Sequence, residues 1–134
     1  MKYFSIDELC KSATAKRLKI DNTPSESVKA NLTALVKNVL DPLREAWKAP
    51  IIVGSGYRCE KLNKAVGGVP NSQHKVGQAA DIHTVSDKPS DNKRLYELIR
   101  KLNLPVDQCI NEYGYNWIHV SYSPRHRRQY FAIK

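Results

Sequence analysis

Val106-Asp107-Gln108-Cys109-Ile110-Asn111-Glu112-Tyr113-Gly114-Tyr115-Asn116-Trp117-Ile118-His119-Val120-Ser121-Tyr122 is a stretch of two β-rich runs around a polar, glycine-bearing turn. It reads as a strand over Val106 to Glu112, a four-residue turn at 113–116 and a strand over Trp117 to Tyr122. Downstream, Gln129 to Ile133 reads as a further strand. Upstream, Ile51-Ile52-Val53 ahead of Gly54-Ser55-Gly56 reads as a short strand, and Ala79 to Thr84 as a buried one.

The rest of the periodicity is helical. Ser5-Ile6-Asp7-Glu8 has capping-box spacing ahead of Leu9 and Cys10. Thr23-Pro24-Ser25-Glu26 predicts an N-cap at Thr23, with Pro24 in the first turn. The helix it opens carries Val28, Leu32, Leu35, Val36, Val39, Leu43 and Trp47 at steps of three and four, one apolar face with a kink expected at Pro42. Shorter helices are expected over Glu60 to Ala65 and Asp91 to Leu102, and a polar loop over 69–78. Helices first and mainly strands afterwards predict an α+β fold: a small, largely antiparallel sheet flanked by helices.

The chain has 134 residues, so one domain over 1–134 is expected, its motif-bearing core at about 50–133. The apolar share of 41% is enough to build a core and excludes wholesale disorder. No apolar run reaches the ~18 residues of a membrane span. The first residues lack the apolar stretch of a secretory signal, which predicts synthesis in the cytoplasm. Cys10, Cys59 and Cys109 are odd in number and widely spaced, which predicts reduced, structural thiols. Lys plus Arg is 22 against 13 Asp plus Glu, a formal charge of +9 that favours an anionic partner. Its densest patch, Arg125-His126-Arg127-Arg128, comes without a nucleic-acid motif and is expected to be a solvated loop.

His74, Asp81 and His119 are separated in sequence and chemically matched. Two neutral imidazoles and one carboxylate suit a catalytic zinc, which takes three N/O ligands and keeps a fourth position for water. They also leave the site at +1, which keeps the bound water acidic. A lone His/Asp/His triple is a weak signal, but its surroundings are specific. Ser72-Gln73-His74-Lys75-Val76-Gly77-Gln78-Ala79-Ala80-Asp81 fits SxHxxGxAxD. Ser55-Gly56-Tyr57-Arg58, Asn63 with Val66-Gly67-Gly68, and Trp117-Ile118-His119-Val120-Ser121 stand around it in order.

Together these segments, within residues 51–122, resemble the zinc D-alanyl-D-alanine peptidase family: D,D-carboxypeptidases, D,D-dipeptidases and phage L-alanyl-D-glutamate endolysins. The resemblance implies one Zn2+ per chain, held on the sheet by His74, Asp81 and His119, with the metal-bound water as nucleophile. It implies that Arg58 contacts the substrate and steadies the tetrahedral intermediate, a task that suits a planar fork of donors. Ser72 is a further candidate, orienting His74 or a substrate amide through its hydroxyl. Gly77 is expected to supply a positive φ or a close approach to the metal.

Many members of that family carry an acid three residues before the last zinc histidine. Here that position is Asn116, which cannot take a proton at neutral pH. In a hairpin with a four-residue turn, Glu112 faces Trp117 and Ile110 faces His119, so Glu112 and His119 share a side of the sheet. Glu112 is therefore the expected general base and later proton donor. Asp107 is the alternative should a bulge reverse that parity.

The expected activity is zinc-dependent hydrolysis of peptidoglycan stem peptides, of the D-Ala-D-Ala carboxypeptidase or the endolysin type. The protein is expected to be a monomer that binds neither nucleic acid nor membrane and reaches the cell wall on release, as a phage or prophage lysin does. Asn116 keeps an alternative open, a non-catalytic zinc-containing cell-wall-binding module of the same fold.

Overall fold

In the computed structural model, which describes residues 1–134, each early helix begins at a serine. Ser5 caps α1 (Ile6–Cys10), Ser12 caps α2 (Ala13–Leu18) and Ser25 caps α3 (Glu26–Leu35). The helix α2 is absent from the sequence reading, because its six residues carry no apolar stripe. The cap of α3 is also a correction. Ser25 Oγ accepts the Val28 N–H at 3.3 Å, whereas the N–H and hydroxyl of Thr23 both donate to Asp21. Thr23 thus belongs to a turn that precedes the helix.

The helix α3 continues through a π-turn over Val36–Leu40 into α4 (Asp41–Trp47). Pro42 has no N–H, and its ring crowds the carbonyl four residues back. The chain answers with a wider turn in which the Asp41 N–H reaches the Val36 carbonyl. The irregularity expected at Pro42 takes the form of this local widening, and buried apolar residues run along the helix from Val28 to Leu43 on both sides of it.

Then come β1 (Ile51–Ser55), α5 (Glu60–Ala65), a 3₁₀ turn over Gln73–Val76, β2 (Ala79–Thr84), α6 (Pro89–Lys101), β3 (Gln108–Glu112), β4 (Trp117–Ser121) and β5 (Gln129–Ile133). The strands form one sheet in the order β1-β2-β4-β3-β5. Every pairing is antiparallel except that of β3 with β5. This is the expected α+β architecture, a single small domain.

The pleat gives the sheet two chemically different faces. Ala80, Ile82, Ile118, Val120 and Cys109 point to one side and join a single core with Leu32, Leu35, Val36, Val39, Leu40 and Leu43 of the long helix and Leu95, Tyr96 and Ile99 of α6. Burying each large aliphatic chain contributes about 1.5–3 kcal/mol. Asp81 and His119, and with them Ile110 and Glu112, point to the other side. The cysteines are all free, Cys109 buried and the other two half-buried. No helix is long and apolar enough to cross a membrane.

Candidate metal centre

Two of the three candidate ligands are fixed by the β-ladder itself. Asp81 of β2 and His119 of β4 are direct cross-strand partners, so their side chains leave the sheet side by side. The third, His74, is delivered by the 3₁₀ turn. Ser72 Oγ accepts the His74 N–H at 3.1 Å and opens that turn. Gly77 closes it with φ +77°. A Cβ at Gly77 would lie 2.8 Å from the Val28 carbonyl oxygen, so the close approach is to α3 rather than to the metal cluster.

His74 is 2% exposed and is gripped from two sides by residues 56–58. Its Nδ1–H donates to the Gly56 carbonyl at 2.7 Å, and its own carbonyl accepts the Arg58 N–H at 3.0 Å. Gly56 runs so close beneath α1 that a Cβ there would sit 2.1 Å from the Leu9 carbonyl oxygen. Asn22 braces the same segment: its amide donates to the Tyr57 and Cys10 carbonyls, and its oxygen accepts the Cys59 N–H. Sequence reading missed both the Gly56 carbonyl and Asn22, since a backbone oxygen leaves no residue-type signal and Asn22 looks like any turn asparagine.

Ligand atoms of His74, Asp81 and His119 lie within 4.8 Å of one another. Asp81 Oδ1 stands 3.3 Å from His74 Nε2 and 3.1 Å from His119 Nδ1. With Nδ1–H committed to Gly56, a neutral His74 turns the lone pair of Nε2 toward that oxygen. Two acceptors then face each other, an arrangement that a cation between them satisfies. Burial pushes the Asp81 carboxyl up, but hydrogen bonding by His119 above all prevails and holds it well below the usual carboxylate range. An ionised carboxylate with two imidazoles fits a divalent metal of the zinc type, for which three protein ligands leave a fourth coordination position.

The hairpin has the expected parity. Glu112 pairs with Trp117 and Ile110 with His119 across a turn in which Tyr113, Gly114 and Tyr115 all have positive φ. Glu112 Oε2 therefore lies 4.0 Å from His119 Nδ1, with its side chain 16% exposed. Burial, then the nearby Asp81 charge, raise its pKa. Asn116 is exposed in the turn, and its carbonyl accepts from Asn92.

Asp107, the alternative base, is otherwise engaged. Its 0%-exposed side chain accepts from Arg127 Nε at 2.7 Å, from Arg125 Nη2 at 3.1 Å and from Gln73 Nε2 at 3.0 Å. Hydrogen bonding by Arg127 above all holds its carboxyl well below the usual range. Arg125 to Arg128 form the expected solvent-exposed loop, and two of its arginines also clamp a buried acid. The clamp reaches the metal cluster through Gln73, the residue before His74.

Arg58 is half-buried, and its Nε has no hydrogen-bond partner. Burial lowers its pKa, while the charges of Asp81 and Glu112 act the other way. Ser72 spends its oxygen on the 3₁₀ turn and so acts on His74 through the backbone. His83, two residues beyond Asp81, bonds the Thr84 carbonyl at 2.7 Å.

An N,O,N donor set on the open face of an antiparallel sheet, with a half-buried carboxylate beside it, is the equipment of a metal-dependent hydrolase. The family model described as Peptidase M15 matches residues 2–121, and the chain belongs to that family. It is accordingly a metallopeptidase. None of the curated proteins matches the chain.

Proposed function

We propose that this protein is a zinc-dependent peptidase acting on peptidoglycan stem peptides, as a D-Ala-D-Ala carboxypeptidase or as an endolysin-type endopeptidase. The observation that carries the reading is the Glu112 carboxylate, 4.0 Å from His119 Nδ1 and beside the His74–Asp81–His119 cluster. Zinc held by those three side chains supplies Lewis acidity toward a carbonyl oxygen and lowers the pKa of a water.

The chain's own residues supply the rest. Glu112, whose carboxylate lies 4.0 Å from His119 Nδ1, takes a proton from the attacking water and returns it to the leaving amine. Arg58 offers a planar, partly desolvated fork to the carbonyl oxygen as negative charge develops there. Gly56 holds the His74 ring in one tautomer. The +9 charge suits an anionic polymer as substrate. The nearness of the Glu112 carboxylate to the cluster supports the enzyme over the non-catalytic wall-binding module.

The test is mass spectrometry of purified muropeptides incubated with the zinc-loaded protein. A stem peptide shortened by cleavage is expected, and the mass lost identifies the bond. Glu112→Gln should keep zinc and lower the rate by at least ~10²-fold, the size of a lost acid–base group. Intact muropeptides with full zinc occupancy would overturn the reading in favour of the binding module.

A further inference from the structure

Between the α1–α2 turn and the outer edge of β1 lies a cleft of about 640 Å³, whose wall includes Arg58. Two other sizeable clefts lie along α6 and contain none of the candidate site residues. Lys11 and Lys16 line the Arg58 cleft, and neither makes an ion pair within 4.0 Å. With Arg58 they place three cations around it against one carboxylate, Glu8. A concave wall of one sign concentrates ions of the other sign.

Arg58 joins this cleft to the metal cluster. It lines the cleft, its unpartnered Nε is buried, and the charges of Asp81 and Glu112 act on it. The strand beside the cleft is also open. The only neighbour of β1 is β2, so its outer edge offers unpaired backbone groups to an extended chain. The register sets Ser55, at the cleft, opposite Asp81. The Arg58 N–H donates to the His74 carbonyl at 3.0 Å, so the cleft that Arg58 lines adjoins the metal cluster, and a peptide held at the cluster has its neighbouring part within reach of the basic cleft.

We infer that this cleft is a subsite for a carboxylate of the peptide substrate, and that Lys11 and Lys16 are the residues that select it. The inference rests on the peptidase reading and adds a charge requirement to it. The carboxylate has two sources, the C-terminus of the peptide and an internal acidic residue, and the chemistry of recognition is the same for both.

The test uses two pairs of synthetic stem peptides and the zinc-loaded protein. One pair differs only in a C-terminal carboxylate against carboxamide, the other only in an internal carboxylate against carboxamide. In one pair the wild type should favour the carboxylate by about tenfold in kcat/KM, the scale of a partly solvated charge-assisted contact. The pair that responds identifies the source. In K11Q/K16Q the ratio should fall to within about twofold, chiefly through KM. The control K93Q/K101Q removes the same charge from α6 and should keep the wild-type ratio.

Equal rates within both pairs for the wild type, a preference that survives K11Q/K16Q, or one that is lost equally in the control would each overturn the subsite. Calorimetric binding of the same peptides to zinc-loaded E112Q separates this failure from that of the peptidase reading. Binding that favours the carboxylate and depends on Lys11 and Lys16, with no hydrolysis by the wild type, would sink the peptidase reading and uphold the subsite. Hydrolysis without that dependence would do the reverse, and neither hydrolysis nor such binding would overturn both.

Discussion

Replacing Asp107 by asparagine probes the clamp that ties the last loop to the metal-bearing turn. The carboxylate accepts from Arg127 Nε at 2.7 Å and Nη2 at 3.0 Å, from Arg125 Nη2 at 3.1 Å and from Gln73 Nε2 at 3.0 Å. An asparagine keeps one oxygen and turns an NH2 group toward donors on the other side. With its oxygen toward Gln73 and Arg125 it loses the short Arg127 Nε bond; with the reverse orientation it loses Gln73. A charge-assisted hydrogen bond contributes about 1.5–3 kcal/mol. Arg125 and Arg127 are 59% and 34% exposed, so their charges turn to water and the larger penalty of a stranded buried ion does not apply. The expected loss is about 2–3 kcal/mol, a fall in Tm of roughly 6–12 °C for a domain of this size.

The sign with pH follows from the depressed carboxyl. Its contribution is complete above the unfolded value of about 4 and is lost as pH falls toward the folded value. Thermal melts at pH 7, 5 and 3, with chelator in every sample so that metal release does not enter, should show the gap between wild type and Asp107→Asn narrow with acid. A variant within about 1 °C of wild type at pH 7, or a gap of constant width, would refute the clamp.

Three further outcomes are expected. Gly56→Ala must push β1 away from α1, because its Cβ would meet the Leu9 carbonyl oxygen at 2.1 Å; it should destabilise by about 3 kcal/mol in urea melts, more than an ordinary surface change. Arg58→Lys keeps the charge but loses the fork, so zinc by metal analysis should be unchanged while kcat/KM falls by about 10²-fold. His74→Ala and His119→Ala should each lose zinc and activity together, and stoichiometric zinc in His119→Ala would remove that residue from the ligand set.

The site was more legible in the sequence than the means of holding it. Strand parity follows from counting, and an even turn between Glu112 and Trp117 is enough to put Glu112 on the face of His119. The spacing from His74 to Asp81 is a local pattern of the same kind. What supports the cluster is not local. Asp107 meets Arg127 across 20 residues and Gln73 across 34, and Gly56 meets His74 across 18. No periodicity encodes such pairings, so the exposed loop of Arg125 to Arg128 gave no sign of the buried acid that two of its arginines hold. Pro42 is a different case: the proline announces a break in the ladder, and the break is there, but its form as a π-turn over Val36–Leu40 depends on packing that the local sequence does not show.

The ladder that pairs Asp81 with His119, and the double grip of residues 56–58 on His74, bear on how the protein acquires metal. In a small zinc-nucleated domain, ion and fold arrive together, and much of the binding energy is spent on ordering the chain. Here the ordering is already met by sheet hydrogen bonds and by an apolar core on the far side of the sheet. Uptake then resembles filling a rigid chelate. A chelator is therefore expected to stop hydrolysis and leave the fold intact, which far-UV circular dichroism before and after chelation checks.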